Sequence, residues 1–186
     1  MGLYIHDNYT CKIRDDSILD SSDTDSVFIE LTNMKIIVGC VYRKPDTDIT
    51  VFNGAFYKLL NIINSEKKTG YILGDFNINI LKSDVHGETR NFTNCLFSNF
   101  CLPTVNCSTR ISEFSATLID NVITNASLVK PQSCILYSDI SDHFPIYLST
   151  DLNTPKPPKA GHYYKCNFGD ANTQKFVDCI KQTNWN

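Results

Sequence analysis

The stretch YILGDFNINI, residues 71–80, constrains the fold of this chain more than any other ten residues. Tyr71, Ile72 and Leu73 have no alternating polar partner, so they read as a strand covered on both faces, as in a layered α/β structure. The strand breaks at Gly74, and Asp75 and Asn77 stand where it should end. Residues two apart on extended backbone point to one side. A buried strand is thus expected to deliver two polar groups to one spot.

The rest of the chain can supply the layers. It has 186 residues, of which 42% are hydrophobic and 11% aromatic, enough for one domain with a real core. No apolar run approaches the roughly 18–20 residues that span a bilayer. MGLYIHD lacks both the basic start and the apolar centre of a secretory signal, and it has His6 where myristoylation wants Ser or Thr. The chain is therefore expected inside the cell, nuclear or cytoplasmic, not secreted and with no membrane partner. Its eight cysteines include no C-x-x-C pair or Cys/His cluster and fit reduced thiols that behave as small hydrophobes. The sequons at Asn8, Asn91, Asn106 and Asn125 carry no meaning without secretion. A net charge of −3 argues against a basic nucleic-acid coat but leaves room for a carboxylate-rich metal site.

Strand-forming residues recur at 2–6, 26–31, 35–42, 102–105, 117–123, 133–137 and 144–149. DDSILDSSDTDS, residues 15–26, reads as a solvated acidic loop, lacking the Gly and final Glu of a calcium loop. Asp48 or Thr50 can cap a helix in which Phe52, Phe56, Leu59, Leu60 and Ile63 recur at three- and four-residue steps. Lys67, Lys68 and Gly70 end it. A second helix is expected over 88–100, with Phe92, Cys95, Leu96 and Phe100 inside. The alternation gives an α/β arrangement over residues 1–150. A Pro/Lys-rich linker follows over 151–162, and 163–186 can form one short helix with Phe176, Val177 and Ile180 on one face.

Three places put polar groups where a strand should stay apolar: Asp75 and Asn77 in GDFN, Asp120 inside LIDNVI, and Ser141-Asp142-His143 before FPIYL. Each has an ordinary reading. GDFN alone reads equally as an Asx-capped turn, Asp120 as a bulge cap or an arginine's partner, and His143 as a satisfied core histidine. Together they permit more, because an imidazole working on a substrate needs a carboxylate to orient it. Asp120 and His143 form such a dyad, with Asp75, Asn77 and Asp142 close enough to hold a metal-bound water or a phosphate. The phosphate-binding loop, the dinucleotide fingerprint, the nucleophile elbow and H-E-x-x-H are all absent.

In order, VYRKP (41–45), GDFN (74–77), STR (108–110) with SATLIDNVIT (115–124), and SDHFPI (141–146) resemble the endonuclease/exonuclease/phosphatase superfamily. Within it they are most similar to the endonuclease domain of non-LTR (LINE/jockey-type) retrotransposons. The similarity runs from Gly2 to Ser149, and FVDCIKQTNW resembles the lead into the fused reverse transcriptase. The resemblance implies a DNase I-like two-sheet α/β sandwich, incomplete on its N-terminal side, that nicks DNA with Mg²⁺ or, in its place, Mn²⁺. It implies that Asp75 orients or deprotonates the attacking water and Asn77 hydrogen-bonds the scissile phosphate. His143 donates to a non-bridging oxygen, Asp120 fixes the tautomer of His143, and Asp142 positions the metal. Tyr42 contacts the phosphate, while Arg43, Thr109 and Ser115 line the nucleic-acid side. No oligomer is implied.

One departure tempers this. The family opens with strands that carry an Asn or Asp and then the Glu that is its principal metal ligand, and Met1 falls after both. Activity is therefore expected to be impaired. The alternatives are a remnant that binds nucleic acid without turnover and a small-molecule phosphatase of the same superfamily.

Overall fold

A computed structural model describes residues 1–15, 19, 21–126 and 132–151, together with 174, 175, 177, 178, 181 and 182. Residues 1–154 form one compact unit and 155–186 another. In the second unit the described residues, Gln174 to Gln182, are helical. The proline-rich linker, Phe176 and Ile180 lie outside the described residues.

A six-stranded sheet organises the first unit. Strand β1 (Cys11–Ile13) is one edge, followed in space by β2 (Thr24–Leu31), β3 (Ile36–Arg43) and β4 (Thr69–Asp75). Beyond β4 lie β8 (Asp120–Thr124) and the two-residue edge β5 (Leu102–Pro103). The β3–β4 pair is parallel, and its crossover is helix α1 (Ile49–Ser65). The pairs β2–β3 and β4–β8 are antiparallel. Between β5 and β8 a small hairpin forms from β6 (Arg110–Ser112) and β7 (Ser115–Thr117). A further two-stranded sheet pairs β9 (Gln132–Ile135) with β10 (Ile146–Ser149).

The period-two alternation of the central strands makes two faces, and both are covered. Phe28, Ile37, Val41, Ile72 and Ile123 pack on one side against α1 and helix α2 (Gly87–Ser98). There the rings of Phe52, Phe56, Phe76 and Phe92 meet pairwise at centroid distances from 5.4 to 6.4 Å. Such pairs add roughly 0.5–1.5 kcal/mol each beyond the area they bury. On the other side Ile29, Leu31, Ile36 and Tyr71 form a second cluster with Val38, Leu73 and Leu148. This is the mixed α/β layering expected of the sequence.

The α1 residues expected inside are all buried, and the Asp48 side chain accepts from the Thr50 N–H as its cap. Other expectations fail for physical reasons. Residues 2–6 are not a strand, because β1 already occupies the edge of β2. Leu3, Ile5 and Tyr9 instead pack as loop residues on the second cluster. Leu19, inside the stretch expected to be solvated, is buried in the main core. Phe100 is exposed rather than internal. The helix ends at Ser98, Phe100 takes φ +56°, and the Cys101 N–H turns back to the Leu96 carbonyl at 2.9 Å, so Cys101 enters the core in its place.

Candidate active site

The polar groups gather where β4 ends. Asp75 closes β4, and the antiparallel register sets it directly opposite Asp120, the first residue of β8. On its other side the parallel register makes Tyr42 its partner. Alternation places Cys40, Tyr42, Leu73, Asp75 and Asp120 on the sheet face away from the helices.

Gly74 lets the end of β4 lie this close to β3. It has φ +153°, and a Cβ on it would fall 1.8 Å from the Val41 carbonyl oxygen. Asp75 then bends the chain, its Oδ1 accepting from the Asn77 N–H at 3.0 Å. Asn77 has φ +48°, which breaks the extended geometry that would set it beside Asp75. Its amide nitrogen donates to the Arg43 carbonyl at 2.7 Å.

His143 reaches the pair from the loop before β10. Its Nδ1 lies 3.0 Å from Asp120 Oδ2 and 3.3 Å from Oδ1. Its backbone is tied by an isolated bridge to Arg110. Asp75, Asp120 and His143 offer ligand atoms within 4.8 Å of one another, so among the described residues they form a group able to hold a metal ion. Asp75's carboxyl lies above the usual carboxylate range. Burial is the main cause and Asp120's charge adds to it, while the Asn77 N–H, His143 and Arg110 act the other way.

Hard divalent cations take oxygen ligands and keep several waters. Two facing carboxylates meet that need, and a cation between them would offset both the burial that chiefly lifts Asp75's carboxyl and the Asp120 charge that adds to it. The donor set therefore fits such an ion. A cavity of about 380 Å³ opens beside the group, walled by Cys40, Leu73, Phe144, Pro145 and Ile146.

The remaining candidates divide. Tyr42 is half-buried beside Asp75. Asp142 lies outside the acidic group: it is exposed and accepts from Arg110 Nε at 2.7 Å, which holds its carboxyl below the usual range. Arg43 lines no nucleic-acid surface. It is 2% exposed, and its guanidinium donates to the carbonyls of Phe76, Asn77 and Thr47 and to Thr47 Oγ1. It braces the GDFN turn from beneath. Thr109 is fully buried, its hydroxyl accepting from the N–H groups of Ile119 and Asp120. Ser115 is exposed in the β6–β7 hairpin and bonds Ser112 Oγ at 2.7 Å. Arg110 and the apolar cavity wall were not singled out in the sequence. Arg110's only signal was its place in STR, and the wall depends on strand register.

No family model matches the chain, and no curated protein matches it. Solved structures do. The endonuclease domain of TRAS1, a telomere-specific non-LTR retrotransposon, superposes with a TM-score of 0.61 at 12% identity, over 77% of this chain and 69% of that one. The 3′ phosphatase NExo from Neisseria, bound to a product DNA hairpin, gives 0.57 at 14% identity over 76% and 70%. The 3′-5′ exonuclease NExo from Neisseria meningitidis gives 0.54 at 13% over 77% and 71%. The chain has the DNase I-like fold of the endonuclease/exonuclease/phosphatase proteins.

Proposed function

We propose that this chain hydrolyses phosphodiester bonds, and that its substrate is DNA, nicked as by the endonuclease of a non-LTR retrotransposon. The observation that carries the reading is the contact of His143 Nδ1 with Asp120, facing Asp75 across one register pair. In-line attack on a phosphodiester needs a base for the water and a sink for the charge that builds on the phosphate. Burial raises Asp75's carboxyl, which makes it a better proton acceptor than an ordinary carboxylate. Asp120 accepts from His143 Nδ1, so that the ring, once it carries a proton on both nitrogens, donates from Nε2 to a non-bridging oxygen. Asn77 keeps one amide N–H beyond the one given to Arg43, and it serves the same phosphate. Tyr42 contacts the phosphate from beside Asp75.

Asp75 and Asp120 would hold Mg²⁺, or Mn²⁺ in its place, and the ion supplies neutralising charge to the phosphate. Asp142, bonded to Arg110, serves the loop that carries His143. The motif order in the sequence and the fold shared with the TRAS1 domain both support the retrotransposon origin. Residues 163–186 would then lead into a reverse transcriptase.

A second reading, nucleic-acid binding without turnover, is favoured by Glu30. It is the one glutamate on a described strand, and it pairs with Lys68 at 2.8 Å, near the opposite end of the sheet from Asp75. Nicking of supercoiled plasmid decides between the two. Mg²⁺-dependent nicking that EDTA stops and His143→Ala abolishes supports hydrolysis. A folded chain that binds the plasmid and leaves it closed supports the second reading.

A further inference from the structure

We propose that Thr109 is a positioning residue for the Asp120–His143 pair, a role that rests on the hydrolase reading above. Asp120 and His143 come from different segments, the start of β8 and the loop before β10. The His143 loop is tied to β6, by the Arg110 bridge and by the Ile111 N–H to the Asp142 carbonyl at 3.1 Å, but neither tie reaches Asp120. Thr109 bonds both segments. Its Oγ1 accepts from the Ile119 N–H at 3.3 Å and the Asp120 N–H at 3.1 Å, which pins the chain where it enters β8. Its carbonyl accepts from the Phe144 N–H at 2.7 Å, one residue beyond His143. Its own N–H donates to Thr117 at 2.9 Å, anchoring it on β7. With no exposed surface, the hydroxyl has no solvent to exchange these partners with. Two N–H groups, that of Ile119 buried and that of Asp120 partly so, would be left without this acceptor if it were removed, a cost the backbone escapes only by moving. The backbone that would move carries Asp120.

The test reads the imidazole itself. Nitrogen NMR of His143, at a pH where the ring is neutral, reports which nitrogen holds the proton, and the hydrogen bond to Asp120 decides that. The wild-type chain and Thr109→Ser, which keeps the hydroxyl, should hold the proton on Nδ1. Thr109→Val, close in shape but with no acceptor, should move it to Nε2. A folded Thr109→Val with its proton still on Nδ1 overturns the proposal, and so does a Thr109→Ser that behaves like the valine.

If Thr109→Val does not fold, Thr109→Ala leaves room for a water at the two N–H groups and is read the same way. Loss of fold in both variants, with Thr109→Ser intact, assigns the hydroxyl to sheet stability alone and overturns it too. A wild-type ring protonated on Nε2 removes the pair and the proposal together. Plasmid nicking is scored separately. The expected tautomers without any nicking would leave the positioning role standing while the hydrolase reading falls.

Discussion

Carboxylates lie near both ends of the central sheet, and the two ends treat them in opposite ways. Near the Leu31–Ile36 end, Arg14 binds Glu66 through two nitrogens at 2.8 and 2.6 Å, and Lys68 lies 2.8 Å from Glu30. Lys12 joins at 3.4 Å. Cations answer the acids, so Glu30 sits below the usual carboxylate range and Glu66 falls to about 2, chiefly through its bond from Arg14. At the Asp75 end two carboxylates oppose each other across one register pair, and Asp75 is pushed up. One end is paired for stability. The other holds its charges partly unanswered, which is the condition of a site awaiting a cation or a substrate.

The comparison can be broken most sharply at His143. His143→Ala should cut plasmid nicking by about 10²–10³, the usual loss when one charge-stabilising donor is removed. Its effect on the melting temperature should be small, because the ring is only half-buried. Asp75→Asn should lower nicking by roughly 10² while raising stability by about 0.5 kcal/mol, since it removes a charge that burial disfavours and that faces the like charge of Asp120. A less stable Asp75→Asn would mean that burial and the Asp120 charge together do not disfavour this carboxylate.

Glu66→Gln tests the other end. It should cost about 1–2 kcal/mol in urea unfolding and leave nicking per folded molecule unchanged. A cation should separate the ends again. Mg²⁺ at about four times its Kd should stabilise the wild type by about 1 kcal/mol and Asp75→Asn much less, with no dependence on Glu66.

The smallest effect is the slope of stability with pH. Glu66 is depressed in the fold, so its contribution is complete above its unfolded value of 4.5 and is lost as pH falls toward about 2. Asp75 is raised in the fold, so the sign reverses. Stability is fullest below its unfolded value of 3.8 and declines as pH climbs through the folded one. Asp75→Asn should remove the second slope alone, as seen in urea midpoints between pH 3 and 7.

What the sequence disclosed follows from which signals are local. Helix α1 was legible because Phe52, Phe56, Leu59, Leu60 and Ile63 repeat at helical steps behind the Asp48 cap. The convergence of Asp75, Asp120 and His143 was legible because carboxylates and a histidine at strand ends need a reason to be there. Asn77 was misplaced because the period-two argument assumes extended backbone, and its φ of +48° is set by the turn, not by residue type. Arg43 and Thr109 were placed on the nucleic-acid side only by the family resemblance, and nothing local in the sequence says which groups an Arg or a Thr will bond. Their partners, the carbonyls of Phe76 and Asn77 and the N–H of Asp120, become neighbours only once β3, β4 and β8 stand side by side. Cys40 and Leu73 entered the cavity wall for the same reason.

Phe76 gives the site a temporal character. It lies inside the GDFN turn, yet its ring is fully buried among Phe52, Phe56 and Phe92, and its amide bonds the Ile119 carbonyl at 2.9 Å. Ligand-binding loops usually open at low free energy, well before the whole protein does. This one is nailed to the core, so its amide hydrogens should exchange as slowly as those of β4 and only through global opening. Such a turn cannot breathe around a substrate on its own. Whatever adjustment binding requires must come from the ligand, which has to fit a surface that is either wholly assembled or gone.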